Sequence, residues 1–439
     1  SGGASICGIH SGAAGDDTCY SVPVTWKMVN DCLDKMQADD TFIQINSEGA
    51  FSEEFSLPHR KSPFRFEELG GINYRGAITG NINIKQRSHV VQTPFAYRVG
   101  ALIERITGLV KTKTFGSPLM EPKIVNGEYV SPYNIALRQM SVTRHTLDPG
   151  VMRTVIDRVV QRAAPFFKTI HPATLREAIN GVKSDPFFKR VNVATSSGYG
   201  FNGKKDRYLP LSGEEDDRQA VSELKERIAN IFFRYARDES AHPVFKACLK
   251  DEPRERDKIK TGKTRLFYMS PMDALIANRM MLGPFYTTLV ANPDLFCTAV
   301  GIDMYSGADE FVKKLTTFSH LIMEGDYKAF DQSMPFDIGY MVNTIIYRLL
   351  EIGGYNASAL QVVRGLLSDN LFPQVELNGD LFEVPALQPS GKYATAEDNS
   401  LRGLVMLMYF WYSHPEFKDK DFFKYVLPVL YGDDVLSAV

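Results

Sequence analysis

The feature that most constrains the fold of this chain is a pair of adjacent acids, Asp433 and Asp434, that follow Gly432 between two apolar runs. The runs cover residues 425–430 and 435–439, and this pattern predicts a strand, a tight turn and a second strand. Two carboxylates on an apolar hairpin are costly unless a cation binds them, and oxygen ligands suit Mg²⁺ or Mn²⁺. The alternative is an ordinary solvated turn, so other segments must supply partners before a metal site is preferred.

Length and composition set broad limits. The 439 residues suggest roughly two to four structural units, and 44% hydrophobic residues are ordinary for a protein that buries a core. A net charge of −2 indicates no global attraction to nucleic acid, so any such contact must come from a local patch. Five cysteines without a CxxC pair argue against a disulfide framework or a zinc site. The longest apolar run, 404–412, is too short to span a bilayer, so we expect no intrinsic transmembrane segment.

A second acidic segment contains Asp326 and Asp331. Asp326 stands near the end of a short apolar run, and Asp331 follows five residues later. A carboxylate at a strand end is well placed to meet Asp433 across a sheet, and converging carboxylates repel one another unless cations lie between them. The alternative is a strand end followed by an ordinary acidic helix start.

A third segment combines a flexible loop with a polar helix face. Ser390 and Gly391 form the loop, and we predict Ser390 as the N-cap of a helix that carries Thr395 and Asn399 on one face. Because the very apolar run 404–412 follows, the helix is predicted to be buried, and a buried asparagine needs partners. The alternative is a solvated polar face.

Two further segments suit nucleic acid. Residues 250–265 hold seven cations against four acids, an excess of +3 that suits a triphosphate or an RNA backbone. Lys258, Lys260 and Lys263 are expected to line one channel, next to a turn at Gly262. Residues 195–201 hold hydroxyls, glycines and aromatics next to lysines, a composition that suits a single strand. The alternative for residues 250–265 is a solvated charged loop, and the alternative for residues 195–201 is an ordinary surface loop. Helices are predicted over 217–237, 272–290, 339–352 and 357–367.

Together and in this order, the five segments resemble the motif series of RNA-dependent RNA polymerases from picornavirus-like positive-strand viruses of the dicistrovirus and iflavirus type. The template would enter at Thr195, Ser196, Ser197 and Gly198. The resemblance implies an α+β right-hand polymerase with its thumb absent. Fingers and part of the palm would cover 76–320, and the palm, with a fingers insertion, would cover 321–439.

The resemblance also implies roles for individual residues. Asp326 and Asp433 would hold two Mg²⁺ ions, with Mn²⁺ as a substitute and Asp434 assisting. Asp331 and Asn399 would read the ribose hydroxyls, near Ser390, Gly391 and Thr395. The residues that would contact NTP or RNA are Lys250, Arg254, Lys258, Lys260, Lys263 and Arg265. A reverse transcriptase is a second hypothesis, disfavoured because a DNA-making enzyme wants a bulky aromatic where Asp331 stands. A non-catalytic RNA-binding precursor is a third.

Two departures from the family pattern are visible. Pro428 cannot donate to a strand ladder, so we predict a short or open strand there. Lys392 follows the Ser-Gly pair where small residues are more familiar. The family's palm continues past the acidic turn with a lysine-bearing motif and a helical thumb, so we expect residues 1–439 alone to be inactive.

The start of the chain resembles another protein class. Residues 1–35 look like the C-terminal strands of the chymotrypsin-like cysteine protease that precedes the polymerase in these polyproteins. His10 would line the pocket for a Gln or Glu side chain, with the nucleophile upstream of Ser1; a structural histidine is the alternative. Residues 36–75 are predicted as a linker with the cleavage site, after Gln37 or Glu48.

The resemblance finally implies partners and a location. Template and primer RNA, NTPs, a protein-linked primer and other viral replication proteins are expected. The expected location is the host cytoplasm, at membrane-associated replication complexes.

Overall fold

The structure, a computed structural model, divides the chain into two compact units, Ser1–Phe55 and Ser56–Val439. It describes residues 8–13, 19–23, 71–77, 87–91, 93–109, 114–141, 146–213, 217–303 and 305–439. In the first unit, strands β1 (Gly8–Ala13) and β2 (Cys19–Pro23) pair antiparallel, with His10 opposite Ser21. The two candidate cleavage positions lie outside the described residues.

The second unit contains mixed helices and strands. Its strands, in chain order, are β3 (Asn73–Ala77), β4 (Phe115–Gly116), β5 (Lys123–Val125), β6 (Glu128–Val130), β7 (Val244–Leu249), β8 (Arg254–Glu255), β9 (Leu266–Met269), β10 (Ile322–Asp326), β11 (Gln374–Leu377), β12 (Asp380–Glu383), β13 (Leu427–Tyr431) and β14 (Asp434–Ala438). Its helices are α1 (Pro94–Thr107), α2 (Pro132–Met140), α3 (Pro149–Ala163), α4 (Leu175–Asn180), α5 (Ser222–Ala236), α6 (Arg256–Lys260), α7 (Met272–Ala291), α8 (Pro293–Phe296), α9 (Ala308–Phe318), α10 (Phe330–Ser333), α11 (Phe336–Ile352), α12 (Ala357–Leu371), α13 (Thr395–Ser413) and α14 (Phe422–Tyr425). Among the described residues, no helix combines the length and apolar character needed to cross a bilayer.

A five-stranded sheet has the order β3-β12-β11-β7-β9. Strand β11 is parallel to β7 and antiparallel to β12, so a late hairpin of the chain completes a sheet begun much earlier. Asn73 and Tyr74, predicted as linker, lie in β3 at the edge of this sheet, and the predicted linker therefore ends before Asn73.

A three-stranded sheet has the order β10-β14-β13 and carries the acidic segments. Helix α13 packs on β13 and against α3 and α11. Leu401, Leu404, Val405 and Met408 recur at helical spacing and are fully buried in this core, so the prediction of a buried helix is confirmed.

The four predicted helices are present with shifted ends. α7 and α12 begin at the predicted residues, Met272 and Ala357, whereas α11 begins at Phe336, three residues earlier than predicted, because Pro335 sets its N-terminus. α5 begins only at Ser222, because Arg218 is held in a bridge to Leu211.

Candidate active site

The acidic hairpin is closed by a two-residue turn, Gly432-Asp433, between β13 and β14. Gly432 has a φ of 63°, and a glycine with positive φ at the first turn position matches the twist of the flanking strands. The prediction that Pro428 shortens its strand is wrong, since Pro428 pairs with Ser437 inside a continuous ladder. Proline is tolerated there because β13 lies at the edge of its sheet.

The register of the central strand brings the two acidic segments together. Asp326 lies directly opposite Asp434, so its cross-strand neighbour is Asp434 and not Asp433, which occupies the turn. All three side chains belong to exposed residues. Like charges placed directly opposite repel, and carboxylate oxygens are the ligands that Mg²⁺ and Mn²⁺ prefer. The donor set therefore fits a divalent cation in its chemistry.

The carboxylates do not already converge on one point. Within the part of the chain that the structure describes, no three His, Cys, Asp or Glu side chains are close enough together to hold a metal ion. Asp326 and Asp434 lie opposite each other, and two carboxylates in facing positions repel one another. A cation that neutralises the pair removes this repulsion.

Ser400 anchors the acidic turn to helix α13. The Gly432 N–H donates to Ser400 Oγ at 3.0 Å, and the Ser400 hydroxyl donates to the Ala396 carbonyl at 2.9 Å. Ser400 is completely buried. Sequence reasoning missed this residue, although a hydroxyl directly after Asn399 on a buried helix was the available signal.

Asp331 and Asn399 form a polar pair beside the turn. Asn399 Nδ2 donates to Asp331 Oδ1 at 3.1 Å, while the buried Asn399 Oδ1 has no hydrogen-bond partner among the described residues. Burial raises the pKa of Asp331, and the charge of Asp433 adds to this rise, which places the turn within electrostatic reach. The pair therefore presents hydrogen-bond acceptors next to the acidic hairpin.

The Ser390–Gly391 loop is held against strand β9. The Tyr268 N–H donates to Ser390 Oγ at 3.3 Å, so the prediction of Ser390 as an N-cap is wrong. Helix α13 instead begins after Ala394, whose φ of 55° is left-handed, and Thr395 Oγ1 donates back to the Lys392 carbonyl at 2.7 Å. A Cβ on Gly391 would lie 1.9 Å from the Tyr268 carbonyl oxygen, so this contact requires glycine.

Many cations of the basic segment have acidic neighbours in the same segment. Glu252 lies 2.9 Å from Lys250, 3.6 Å from Arg254 and 3.7 Å from Arg265. Lys258 pairs with Glu255 at 3.5 Å, and Lys260 pairs with Asp257 at 3.3 Å. Because Lys250, Lys258, Lys260 and Arg265 are exposed, their ion pairs are weak and can exchange for phosphate contacts. Arg254 and Glu252 are only partly exposed.

Arg265 and Lys263 differ from the other cations of this segment. The charge of Arg265 lowers the pKa of Asp331 against the effect of burial, so this arginine lies within electrostatic reach of the Asp331–Asn399 pair. Lys263 is exposed, and no ion pair to a described carboxylate holds it. A shared channel for Lys258, Lys260 and Lys263 stays a prediction.

The loop at 195–198 is stabilised from within. Ser197 is completely buried and donates to the Gly203 carbonyl at 2.8 Å, and the buried Lys205 ammonium donates to Thr195 Oγ1 and the Ser196 carbonyl, both at 2.6 Å. A Cβ on Gly198 would lie 2.2 Å from the Ser270 carbonyl oxygen. Thr195 and Ser196 are exposed, whereas Ser197 and Gly198 shape the loop.

Comparison with known proteins identifies the family. A sequence profile described as "Viral RNA-dependent RNA polymerase" matches residues 133–439. The chain belongs to this family. The replicase polyprotein of Drosophila C virus is 24% identical over 98% of this chain and 25% of the polyprotein, and that of cricket paralysis virus is 25% identical over 72% of this chain and 18% of the polyprotein. The genome polyprotein of human hepatitis A virus is 30% identical over 57% of this chain and 11% of the polyprotein. The chain thus spans a quarter or less of these relatives' length.

A solved structure shows the same fold. The "Sicinivirus 3Dpol RNA dependent RNA polymerase" superposes with a TM-score of 0.67 at 20% identity, over 82% of this chain and 71% of that one. The predicted α+β polymerase fold is confirmed at this level, and the comparisons do not favour a reverse transcriptase or a non-catalytic precursor.

Proposed function

We propose that this viral polymerase chain carries the site of RNA-templated RNA synthesis by two-metal nucleotidyl transfer. The observation that supports it most is the register that sets Asp326 opposite Asp434, with Asp433 on the adjoining turn. The Asp331–Asn399 pair beside that turn supports the same proposal.

Asp326, Asp433 and Asp434 would hold Mg²⁺ or Mn²⁺. When bound, two such ions lower the pKa of a primer hydroxyl and neutralise the departing pyrophosphate. The hairpin contributes by holding its carboxylates on a turn that Ser400 fixes to helix α13. Exposure of all three residues leaves the turn open to substrate.

Asp331 and Asn399 would select ribonucleotides. The Asp331 carboxylate and the unpaired amide oxygen of Asn399 are acceptors that a ribose hydroxyl can satisfy by donating. Phe330 is only 3% exposed and packs against Tyr327, so its ring is not available to exclude a 2′-hydroxyl.

The basic segment and the loop at 195–198 would guide phosphates and template. Arg265, whose charge reaches Asp331, is the candidate for contact with the incoming triphosphate, while Lys250, Arg254, Lys258, Lys260 and Lys263 would supply further positive charge. Exposed Thr195 and Ser196 are the candidates for direct template contact.

Residues 1–35 would derive from the protease that precedes the polymerase, with His10 in its substrate pocket. The alignment of 98% of this chain with one replicase polyprotein supports a polyprotein origin for both units. A protein-linked primer, further replication proteins and membrane-associated cytoplasmic complexes belong to the same proposal.

Primer extension tests the function. The polymerase, expressed from its full coding region, should extend an RNA primer on an RNA template with rNTPs and Mg²⁺, and a chelator should stop it. Asp433→Asn should abolish extension, whereas Asp419→Asn, at an exposed acid outside the site, should not. Equal extension by the Asp433→Asn variant and the wild type would contradict the proposal.

A further inference from the structure

A buried charged cluster lies behind the proposed site. It consists of Lys392, Asp398 and Arg402, which are 8%, 1% and 1% exposed, together with the fully buried Gln388. Lys392 Nζ and Arg402 Nε each lie 2.9 Å from Asp398 Oδ2. Gln388 Nε2 donates to the same oxygen at 2.5 Å, and the Tyr286 hydroxyl donates to Asp398 Oδ1 at 2.9 Å. One carboxylate therefore organises four donors.

The two cations of this cluster stabilise the ionised form of Asp398. Burial alone would raise the pKa of Asp398, but the positive charges of Lys392 and Arg402 outweigh burial and hold this pKa well below its ordinary range. The carboxylate is therefore ionised at neutral pH. Burying charged groups carries a large desolvation cost, and apolar replacements of buried ion pairs are often as stable or more stable. Stability is therefore a weak explanation for this cluster.

The position of the cluster supplies a better explanation. The Gln388 N–H donates to the Asp331 carbonyl at 2.9 Å, and the Gln388 side-chain oxygen accepts from Lys392 Nζ at 2.9 Å. Lys392 directly follows Gly391, and Asp398 directly precedes Asn399. The cluster thus connects the Asp331 segment, the Ser390–Gly391 loop and the start of helix α13.

Arg402 connects the charged cluster to helix α11. It lies one turn after Asp398 on the same helix, and its guanidinium packs against Gly339 of α11, where a Cβ would come within 3.0 Å of Arg402 Nη1. Its charge also reaches Asp331. The cluster therefore lies between helix α11 and the Asp331–Asn399 pair.

We propose that the charged cluster is a positioning device for ribonucleotide selection. Asp398 holds Lys392 and Gln388 so that the loop and the Asp331–Asn399 pair keep a fixed spacing against the ribose of an incoming nucleotide. This inference rests on the proposed RNA synthesis. Lys392, Gln388 and Asp398 are positioning residues, because they act through Asn399, Asp331 and the loop.

The test variant is Lys392→Met, which removes the ammonium and leaves Asp398 paired with Arg402. The readouts are thermal unfolding, the Kd for primer–template RNA, and kcat/KM for a templated rNTP and for the matching dNTP. The ratio of rNTP to dNTP incorporation should fall about tenfold or more, since small misplacements of reacting groups have effects of this size. The KM for rNTP should rise, and the Kd for RNA should not change.

A second, milder variant provides the test if Lys392→Met does not fold. Gln388→Met keeps the volume and the ion pairs but removes the bridging amide. The same ratio should fall about threefold or more, because the variant loses both hydrogen bonds of the amide, the one to Asp398 and the one from Lys392. If Lys392→Met does not fold, the result from Gln388→Met decides the question.

Asp369→Asn is the matched control. Asp369 is also a buried carboxylate, 6% exposed, that accepts from the Tyr235 hydroxyl at 2.7 Å and from Ser240, and it joins α12 to α5 away from the acidic hairpin. Its substitution should lower the melting temperature without changing the rNTP to dNTP ratio.

The outcomes separate the two proposals. If Lys392→Met and Gln388→Met lower the melting temperature as Asp369→Asn does and keep the wild-type ratio, the cluster is structural only and this inference is overturned. The proposed function then still stands on the loss of extension in Asp433→Asn. If the wild-type polymerase does not incorporate templated rNTP, the proposed function itself fails, and the inference fails with it.

Discussion

Replacing Ser400 with alanine should destabilise the acidic turn by a predictable amount. The Ser400 hydroxyl is the partner of the Gly432 N–H, and both residues are buried. The Ala396 carbonyl is also the acceptor for the backbone of helix α13, so it keeps a partner. The loss is therefore one orphaned buried N–H, which costs about 1–3 kcal/mol.

This energy converts into a measurable shift. For the unit Ser56–Val439, an unfolding entropy of about 2.1 cal mol⁻¹ K⁻¹ per residue predicts a fall in melting temperature of roughly 1–4 °C. Primer extension should slow about tenfold, because the turn that carries Asp433 loses its fixed position. Differential scanning calorimetry and single-nucleotide incorporation measure the two effects.

Ser437→Ala is the matched control for this prediction. Ser437 is completely buried on β14, and its hydroxyl makes no hydrogen bond to any described residue. Removing an unpaired buried hydroxyl should leave the melting temperature unchanged or raise it. If Ser400→Ala and Ser437→Ala unfold at the same temperature and work at the same rate, the anchoring role of Ser400 is refuted.

Three further substitutions have expected outcomes. Gly391→Ala forces the loop away from Tyr268 and should cost about 1–3 kcal/mol in chemical denaturation, whereas Gly100→Ala, with open space around it, should not; equal stabilities would contradict the contact. Asp398→Asn should cost about 3–5 kcal/mol at neutral pH. Because the pKa of Asp398 is lowered in the folded state, its stabilisation is present above the ordinary aspartate value of about 3.9 and is lost as the pH falls through the folded value, so the difference from wild type should narrow below about pH 4. A stability difference that grows in acid would contradict a lowered pKa of Asp398 in the folded state. Asn399→Ala should lower the rNTP to dNTP ratio about tenfold in single-nucleotide incorporation, and an unchanged ratio would exclude Asn399 from ribose recognition.

Local patterns predicted the elements that carry the site. The glycine turn between two apolar runs gave the hairpin β13–β14, and helical spacing gave α7, α11 and α12 within a few residues. These signals succeed because turn chemistry and periodicity are encoded within short segments.

Features that depend on distant contacts were not predictable in this way. A shift of one residue in the register between two strands changes every cross-strand neighbour. The sequence alone therefore could not decide that Asp434, and not Asp433, lies opposite Asp326. The expected cap at Ser390 failed because its hydroxyl is taken by the backbone of β9, more than a hundred residues earlier. The burial of Lys392 and Arg402 was not predictable from the sequence. Their charges are neutralised only in the folded chain, where both side chains form ion pairs with Asp398.

Mn²⁺ binding is the most direct test of whether Asp326, Asp433 and Asp434 together hold divalent cations. Electron paramagnetic resonance can follow the titration of the purified chain with Mn²⁺ in the presence of NTP. Asp326→Asn and Asp433→Asn should each weaken Mn²⁺ binding about tenfold or more, and Asp419→Asn should bind Mn²⁺ as the wild type does. Equal Mn²⁺ affinity in all four proteins would contradict the assignment of the metal site to this hairpin.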